Sequence, residues 1–209
     1  MKEVYKGYTI NIEKDLDPLN PRTEFDNLGK MVCFHDRYNL GDKDHGINHN
    51  DFNSWKEMFD HIKRTENVAV ILPLYLYDHS GITISTSTFN DPWDSGSIGF
   101  IYMTKKDAIE NWGKTIMTKK VLESATGYLL GEVETYDQYL RGDVYGYVIE
   151  KDGDHIDSCW GYFGDDKYCK DDAKHVVDNY FKYDIKKHLK KVKQWILNKV
   201  PLDYRQSFV

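Results

Sequence analysis

One stretch constrains the chain more than any other: residues 68–103, VAVILPLYLYDHSGITISTSTFNDPWDSGSIGFIYM. Three apolar or β-branched runs, Val68–Tyr77, Ile82–Thr88 and Ile98–Met103, are separated by two polar insertions. Runs this short and this rich in Val, Ile and Tyr read as strands. Asp78-His79-Ser80-Gly81 carries turn chemistry, because Asp bonds back to nearby backbone and Gly accepts positive φ. Asn90–Gly99, with Pro92 and Gly96, reads as a longer loop. Three strands of a central sheet follow. Because adjacent hairpin connections alternate between sheet ends, His79 and the Trp93–Asp94 pair are expected at opposite ends.

The rest of the chain fills in around that sheet. Val4–Glu13 alternates apolar and polar residues with a period of two, as a half-buried strand does. Asp15–Asn27 reads as a loop, Gly29–Tyr38 as a strand and Asn39–Asn50 as a second, polar loop. Asp51 stands where it can cap a helix carrying Trp55, Met58, Phe59 and Ile62 at helical spacing. Thr104 and Thr118 are placed to cap two more helices. Gly127 and Gly131 interrupt the longer one on a single face, which predicts a close approach there. Val144–Glu150, KDGD and His155–Phe163 form a hairpin signal. From Lys170 to about Asn198 the spacing predicts one long helix or two, with the lysine-rich second half the more exposed. These elements give an α+β fold with an antiparallel or mixed sheet of about six to seven strands, packed with helices. The expected division is a sheet domain over residues 1–170 and a C-terminal helical segment over residues 171–209, packed on it or partly exposed.

No apolar run approaches the ~18 residues of a membrane span, and MKEVYKGYTINIEKD lacks the apolar core of a secretion signal. A cytoplasmic protein is expected. The 3 cysteines fit neither a disulfide framework nor a zinc pattern, so Cys33, Cys159 and Cys169 read as small core residues. The formal net charge of −6 is unevenly spread. Lys182–Lys199 holds seven lysines and one aspartate, +6, which leaves about −12 elsewhere by subtraction.

Several constellations of reactive residues can be weighed. His35, Asp36, Asp42, Asp44, His45, His49 and Asp51 are dense enough to attract a divalent metal, but EF-hand spacing fails, with Gly46 at the fifth position and Asn53 at the twelfth. No metal and no cofactor is predicted. Asp78-His79-Ser80 has the residue types of a hydrolase triad, yet sequence neighbours in a turn cannot converge as a triad does. Ser95 lacks the flanking glycine of a nucleophile elbow, and Gly96-Ser97-Ile98-Gly99 has no lysine after it, so it is no phosphate loop. Cys159 has no activating base near it in sequence. Trp160 and Tyr162 are expected on one strand face. The lysines Lys186, Lys187, Lys190 and Lys191 can contact phosphates, but the acidic remainder of the chain argues against direct nucleic-acid binding. No catalytic residue is assigned. The aromatic and charged loop residues Trp93, Asp94, Asp78, His79, Trp160 and Tyr162 are instead candidates for partner binding.

The segments PLYLYDHSGITISTSTFNDPWDSGSIGFIYMTKKDA, ETYDQYLRGDVYGYVIE and DSCWGYFGDD resemble a family of uncharacterised accessory proteins encoded by phages, prophages and mobile elements of Gram-positive bacteria. The resemblance spans roughly residues 18–175 and carries no catalytic assignments with it. It implies a protein that acts on host defences in the bacterial cytoplasm. An anti-CRISPR-like inhibitor that binds a host protein or ribonucleoprotein complex is the specific expectation. Two other classes compete with it. One is a metal-dependent or His/Cys hydrolase or nuclease using His35, His79, Asp78 and Asp94. The other is a nucleic-acid-binding regulator acting through the lysine-rich helix.

Overall fold

The apolar runs sort into two four-stranded antiparallel sheets rather than one. The computed structural model describes residues 1–201 and 204. In chain order the first elements are β1 (Lys2–Tyr5), β2 (Tyr8–Lys14), α1 (Pro21–Glu24), β3 (Lys30–Cys33) and α2 (Trp55–Thr65). Then come β4 (Val68–Asp78), β5 (Ile82–Ser85), β6 (Ser95–Thr104), α3 (Lys105–Asn111) and α4 (Lys119–Arg141). The last are β7 (Val144–Lys151), β8 (Asp154–Phe163) and α5 (Asp166–Lys199). Among the described residues the class is α+β, with eight strands and a long C-terminal helix. Two of the strands come from the first segment, where Lys6 (φ 51°) and Gly7 (φ 80°) turn the chain between β1 and β2. The period-two reading ran straight through that turn.

The chain forms two compact units, and the division is not at residue 170. One unit joins Met1–Asp15 to the chain from Tyr145 onward; the other is Leu16–Val144. The helix α5 is therefore no appendage. Its Cys169, Ala173 and Val177, spaced by four, are buried with Tyr8, Ile10, Ile12, Tyr147 and Ile149. The register Ile10↔Ile149 and Ile12↔Tyr147 puts the strand residues on one face. Asp165 caps the helix by accepting from Lys167 N at 3.1 Å and Tyr168 N at 3.4 Å, so α5 starts before Lys170. Lys14 pairs with Tyr145, so the second unit leaves and rejoins the first between two adjacent strands.

In the Leu16–Val144 unit the strand order is β3-β6-β4-β5. Both faces of this sheet are covered. Val121, Ala125, Leu129, Val133 and Tyr136 of α4 pack on Met31, Leu74, Leu76, Ile101 and Met103. Met58 and Ile62 of α2 pack on Val32, Val68, Phe100 and Tyr102 on the other side. That double cover explains why the run Ile98–Met103 in β6 is continuously apolar and entirely buried. β5 pairs only with Tyr75–Asp78, which leaves Pro73 on a stretch of β4 with β6 as its partner.

Three helix starts show how caps decide boundaries. Thr104 and Thr118 cap α3 and α4 through their side chains, in line with the sequence. Ser54, not Asp51, caps α2: its Oγ accepts from Glu57 N at 3.2 Å, and Glu57 Oε2 accepts from Asn53 N at 2.9 Å. Asp51 instead ends a single 3-10 turn, His49–Asp51. The close approach expected at Gly127 and Gly131 is absent, since a Cβ on either would meet nothing within 4 Å. It occurs at Gly99, where a Cβ would fall 1.9 Å from the Val32 carbonyl oxygen.

Candidate functional site

β4 ends at Asp78 and β6 begins at Ser95, and Tyr77 pairs with Ser95. The turn after β4 and the loop before β6 therefore lie at the same end of the sheet. The sequence expectation of opposite ends fails for a topological reason. β5 and β6 flank β4 on opposite sides and both run antiparallel to it, so the loop after Ser85 must travel back along the sheet before β6 starts.

This return sets the loop before β6 against the turn after β4. His79 Nδ1 lies 2.8 Å from Asp94 Oδ2, and Asp78 N donates to Asp94 O at 2.8 Å. The Asp78 carboxylate accepts from the Arg37 guanidinium and, at 3.4 Å, from the Tyr38 hydroxyl. The Tyr77 ring is stacked beside His79, with centroids 6.1 Å apart. Asp91 fixes the loop from within: its Oδ1 accepts from Trp93 N at 2.9 Å and from Asp94 N at 3.3 Å, and its carbonyl accepts from the Ser95 hydroxyl. On this pinned backbone the Trp93 side chain projects into solvent, 92% exposed.

Trp93, Asp94 and Asp78 line a cleft of about 370 Å³ with Phe34, His35 and Arg37. A second cleft, about 620 Å³, opens on the other side of Phe34–Asp36 and is lined by His45, His49, Tyr38 and Asn39 among others. The histidines of this region are held by aromatic rings and backbone. His35 stacks on Tyr38 with centroids 4.9 Å apart, and His45 and His49 each lie 5.2 Å from the Phe34 ring. His45 Nδ1 accepts from Ile47 N at 3.2 Å, and burial lowers its pKa below the ordinary histidine value. Among the described residues, no three His, Cys, Asp or Glu side chains converge as a metal site would require.

Asp42 belongs to a different structure, one the sequence did not signal. Arg22, its side chain 1% exposed, donates through Nε and Nη2 to the two oxygens of Asp42 at 2.9 and 3.0 Å. Its Nη1 reaches Glu132 at 2.7 Å and Asn27 at 3.0 Å, and Nη2 reaches the Gly29 carbonyl at 2.6 Å. Glu132 also accepts from Leu28 N and Gly29 N, at 2.8 and 3.0 Å. This network ties the α1 segment and the loop after β3 to α4, and its Asp42 lines the larger cleft. The only local hint was Asn20-Pro21, a helix start in a stretch otherwise read as loop.

The remaining candidates lie in the other unit. Trp160 is 45% exposed and lies over Gly146, whose added Cβ would fall 2.2 Å from the indole ring. Gly146 faces away from Tyr147 and Ile149, and so away from α5. Tyr162 turns to α5 instead, donating to Asp172 Oδ2. The two do not share a face, because Gly161 between them has φ 82° and breaks the alternation. Cys169 is buried and its thiol is pushed up to about 11 by desolvation, and burial pushes Cys33 up to about 12. Cys159 is exposed, against the expectation of a core role. Lys186, Lys187, Lys190 and Lys191 are all exposed on α5.

Among the described residues no helix is long and apolar enough to cross a membrane. Comparison with protein-family models, curated proteins and solved structures finds no match to this chain.

Proposed function

We propose that the chain is a non-catalytic binding protein whose docking surface is the cleft at the β4–β6 end, with Trp93 as its anchor. The observation that carries this reading is a large aromatic side chain, 92% exposed, on a loop whose backbone is fixed by Asp91. A preorganised loop loses little freedom on binding, and buried Trp residues are frequent hot spots. The Arg37–Asp78 and His79–Asp94 pairs supply a polar rim around it. The family resemblance makes the partner a host defence complex, with a CRISPR–Cas ribonucleoprotein as the specific target, and the action inhibitory.

A second reading has one observation in its favour. His79 and Asp94 form the base–orienter half of a hydrolytic site. Their side chains are 63% and 39% exposed, however, so water screens the pair. Asp78 is engaged with Arg37, and His35 is stacked on Tyr38, so the four proposed catalytic residues do not aim at one point.

The test is capture of Cas ribonucleoprotein by the tagged chain from infected host cells, together with phage plating on defended hosts. Trp93→Ala is expected to unfold at the same temperature as the unaltered chain and to weaken capture by about 2 kcal/mol, roughly 30-fold. Plating should fall with it. Capture by Trp93→Ala at full strength, or no effect of the unaltered chain on plating, overturns the proposal. Turnover of ester or phosphodiester substrates that His79→Ala abolishes would establish the hydrolytic reading instead.

A further inference from the structure

The helix α5 is 34 residues long, about 51 Å at ~1.5 Å per residue. The strands it covers are shorter: β2 has 7 residues and β7 has 8, about 25 Å at ~3.3 Å per residue. The apolar stripe does not stop where the sheet does. It begins as Cys169, Ala173 and Val177, fully buried, and Phe181 still packs against that core. Asp184 ties the helix to the sheet at this level, accepting from the Tyr8 hydroxyl at 2.7 Å and pairing with Lys151. Beyond it the stripe continues as Ile185, Leu189, Val192 and Ile196. Ile185 is 43% exposed, Leu189 61% and Val192 38%.

We infer that the second half of α5 is a docking strip for an acidic amphipathic helix of a partner protein, seated along Ile185, Leu189, Val192 and Ile196. This surface is separate from the Trp93 cleft and does not depend on the function proposed for it. Spacings of four, three and four are those of a coiled-coil seam. The four residues sweep only about 60° of the helix at ~100° per residue. Trp195, 61% exposed, widens the apolar band along the seam's other edge. Lys186 and Lys193 border one edge of the seam, and Lys182–Lys199 carries seven lysines against Asp184, itself already paired. Complementarity therefore asks for carboxylates at the partner's flanking positions. A second copy does not supply them. Antiparallel pairing would set Lys186 and Lys193 against their own kind, and parallel pairing would set Lys193 against His188 and Lys186 against Phe181. A nucleic acid would satisfy the lysines and leave the apolar seam in water.

The probe is a synthetic three-heptad peptide with Ile and Leu at the seam positions and Glu at both flanks, labelled for fluorescence anisotropy. The full chain should bind it saturably, one to one, at physiological salt. The same peptide with Lys in place of Glu should not bind. Leu189→Gln keeps every charge and alters an exposed position, so it should leave the circular dichroism spectrum unchanged yet weaken binding at least tenfold. Trp93→Ala should bind the peptide as the unaltered chain does, which separates this surface from the cleft. Undiminished binding by Leu189→Gln would reduce the contact to charge alone and overturn the inference. So would the absence of saturable binding, tighter binding at the same salt to phosphatidylglycerol vesicles or to a DNA duplex, or a dimer in sedimentation that competes with the peptide.

Discussion

Arg22 has five N–H groups, and the fold accepts a hydrogen bond from all of them. A guanidinium so placed is costly to remove, because two carboxylates are left behind without their counter-ion. Arg22→Ala is expected to destabilise the Leu16–Val144 unit by about 3–5 kcal/mol, read from urea unfolding. Arg22→Lys should recover only part of this, since one ammonium cannot reproduce the planar fork. His45 makes a prediction in pH. Its folded pKa lies below the ordinary value because burial disfavours the charged ring. On acidification the unfolded chain takes up the proton first, so stability present above about pH 6.5 is lost as pH falls through the folded pKa. His45→Gln should flatten the stability profile of that unit as pH falls below about 6.5. Neither role was legible in the sequence, where Arg22 sat in an apparent loop and His45 among six other polar candidates. Arg22 depends on a partner far along the chain, Glu132, 110 residues away.

At the scale of elements, several caps and turns were readable from local residue types, although the Ser54 cap and the Lys6-Gly7 turn were not. Thr104, Thr118 and the Asp152-Gly153 turn, with φ 55° and 90°, all stand where their residue types place them. The glycines of α4 were not readable in this way, because a glycine leaves no trace of whether something lies against it. Gly127 and Gly131 face open space, so Gly127→Ala and Gly131→Ala should each stabilise by about 0.5–1 kcal/mol in thermal or urea unfolding. Gly99→Ala should do the opposite and cost about 1–3 kcal/mol or more, since its Cβ would collide with the Val32 carbonyl. The candidate site follows the same logic. Turn chemistry at Asp78–Gly81 and the exposed character of Trp93 could be read from the residues. Their meeting could not, because it depends on which side of β4 each neighbouring strand takes.

At the scale of the whole chain, the Leu16–Val144 unit is inserted between β2 and β7, where Lys14 and Tyr145 are paired neighbours. Its core is continuous in sequence, so the excised Leu16–Val144 segment should fold and give a cooperative urea transition of its own. Residues 1–15 joined through a short Asn-Gly turn to residues 144–201 should likewise keep its helical circular dichroism, whereas residues 144–201 alone should lose the sheet for want of β2. Non-cooperative unfolding of the excised segment would refute that view. What the sequence by itself determined was the α+β class, most of the strands and helices, the caps, and a basic half of the last helix too polar to lie buried. These follow from side-chain periodicity and from turn and cap chemistry, which act over a few residues. Tertiary structure alone decided that there are two sheets rather than one, that the ends of the chain belong together, that His79 meets Asp94, and that Arg22 is buried. Each of these is a pairing between distant segments, and strand order across a sheet is set by which faces can be buried together, a quantity no local pattern contains.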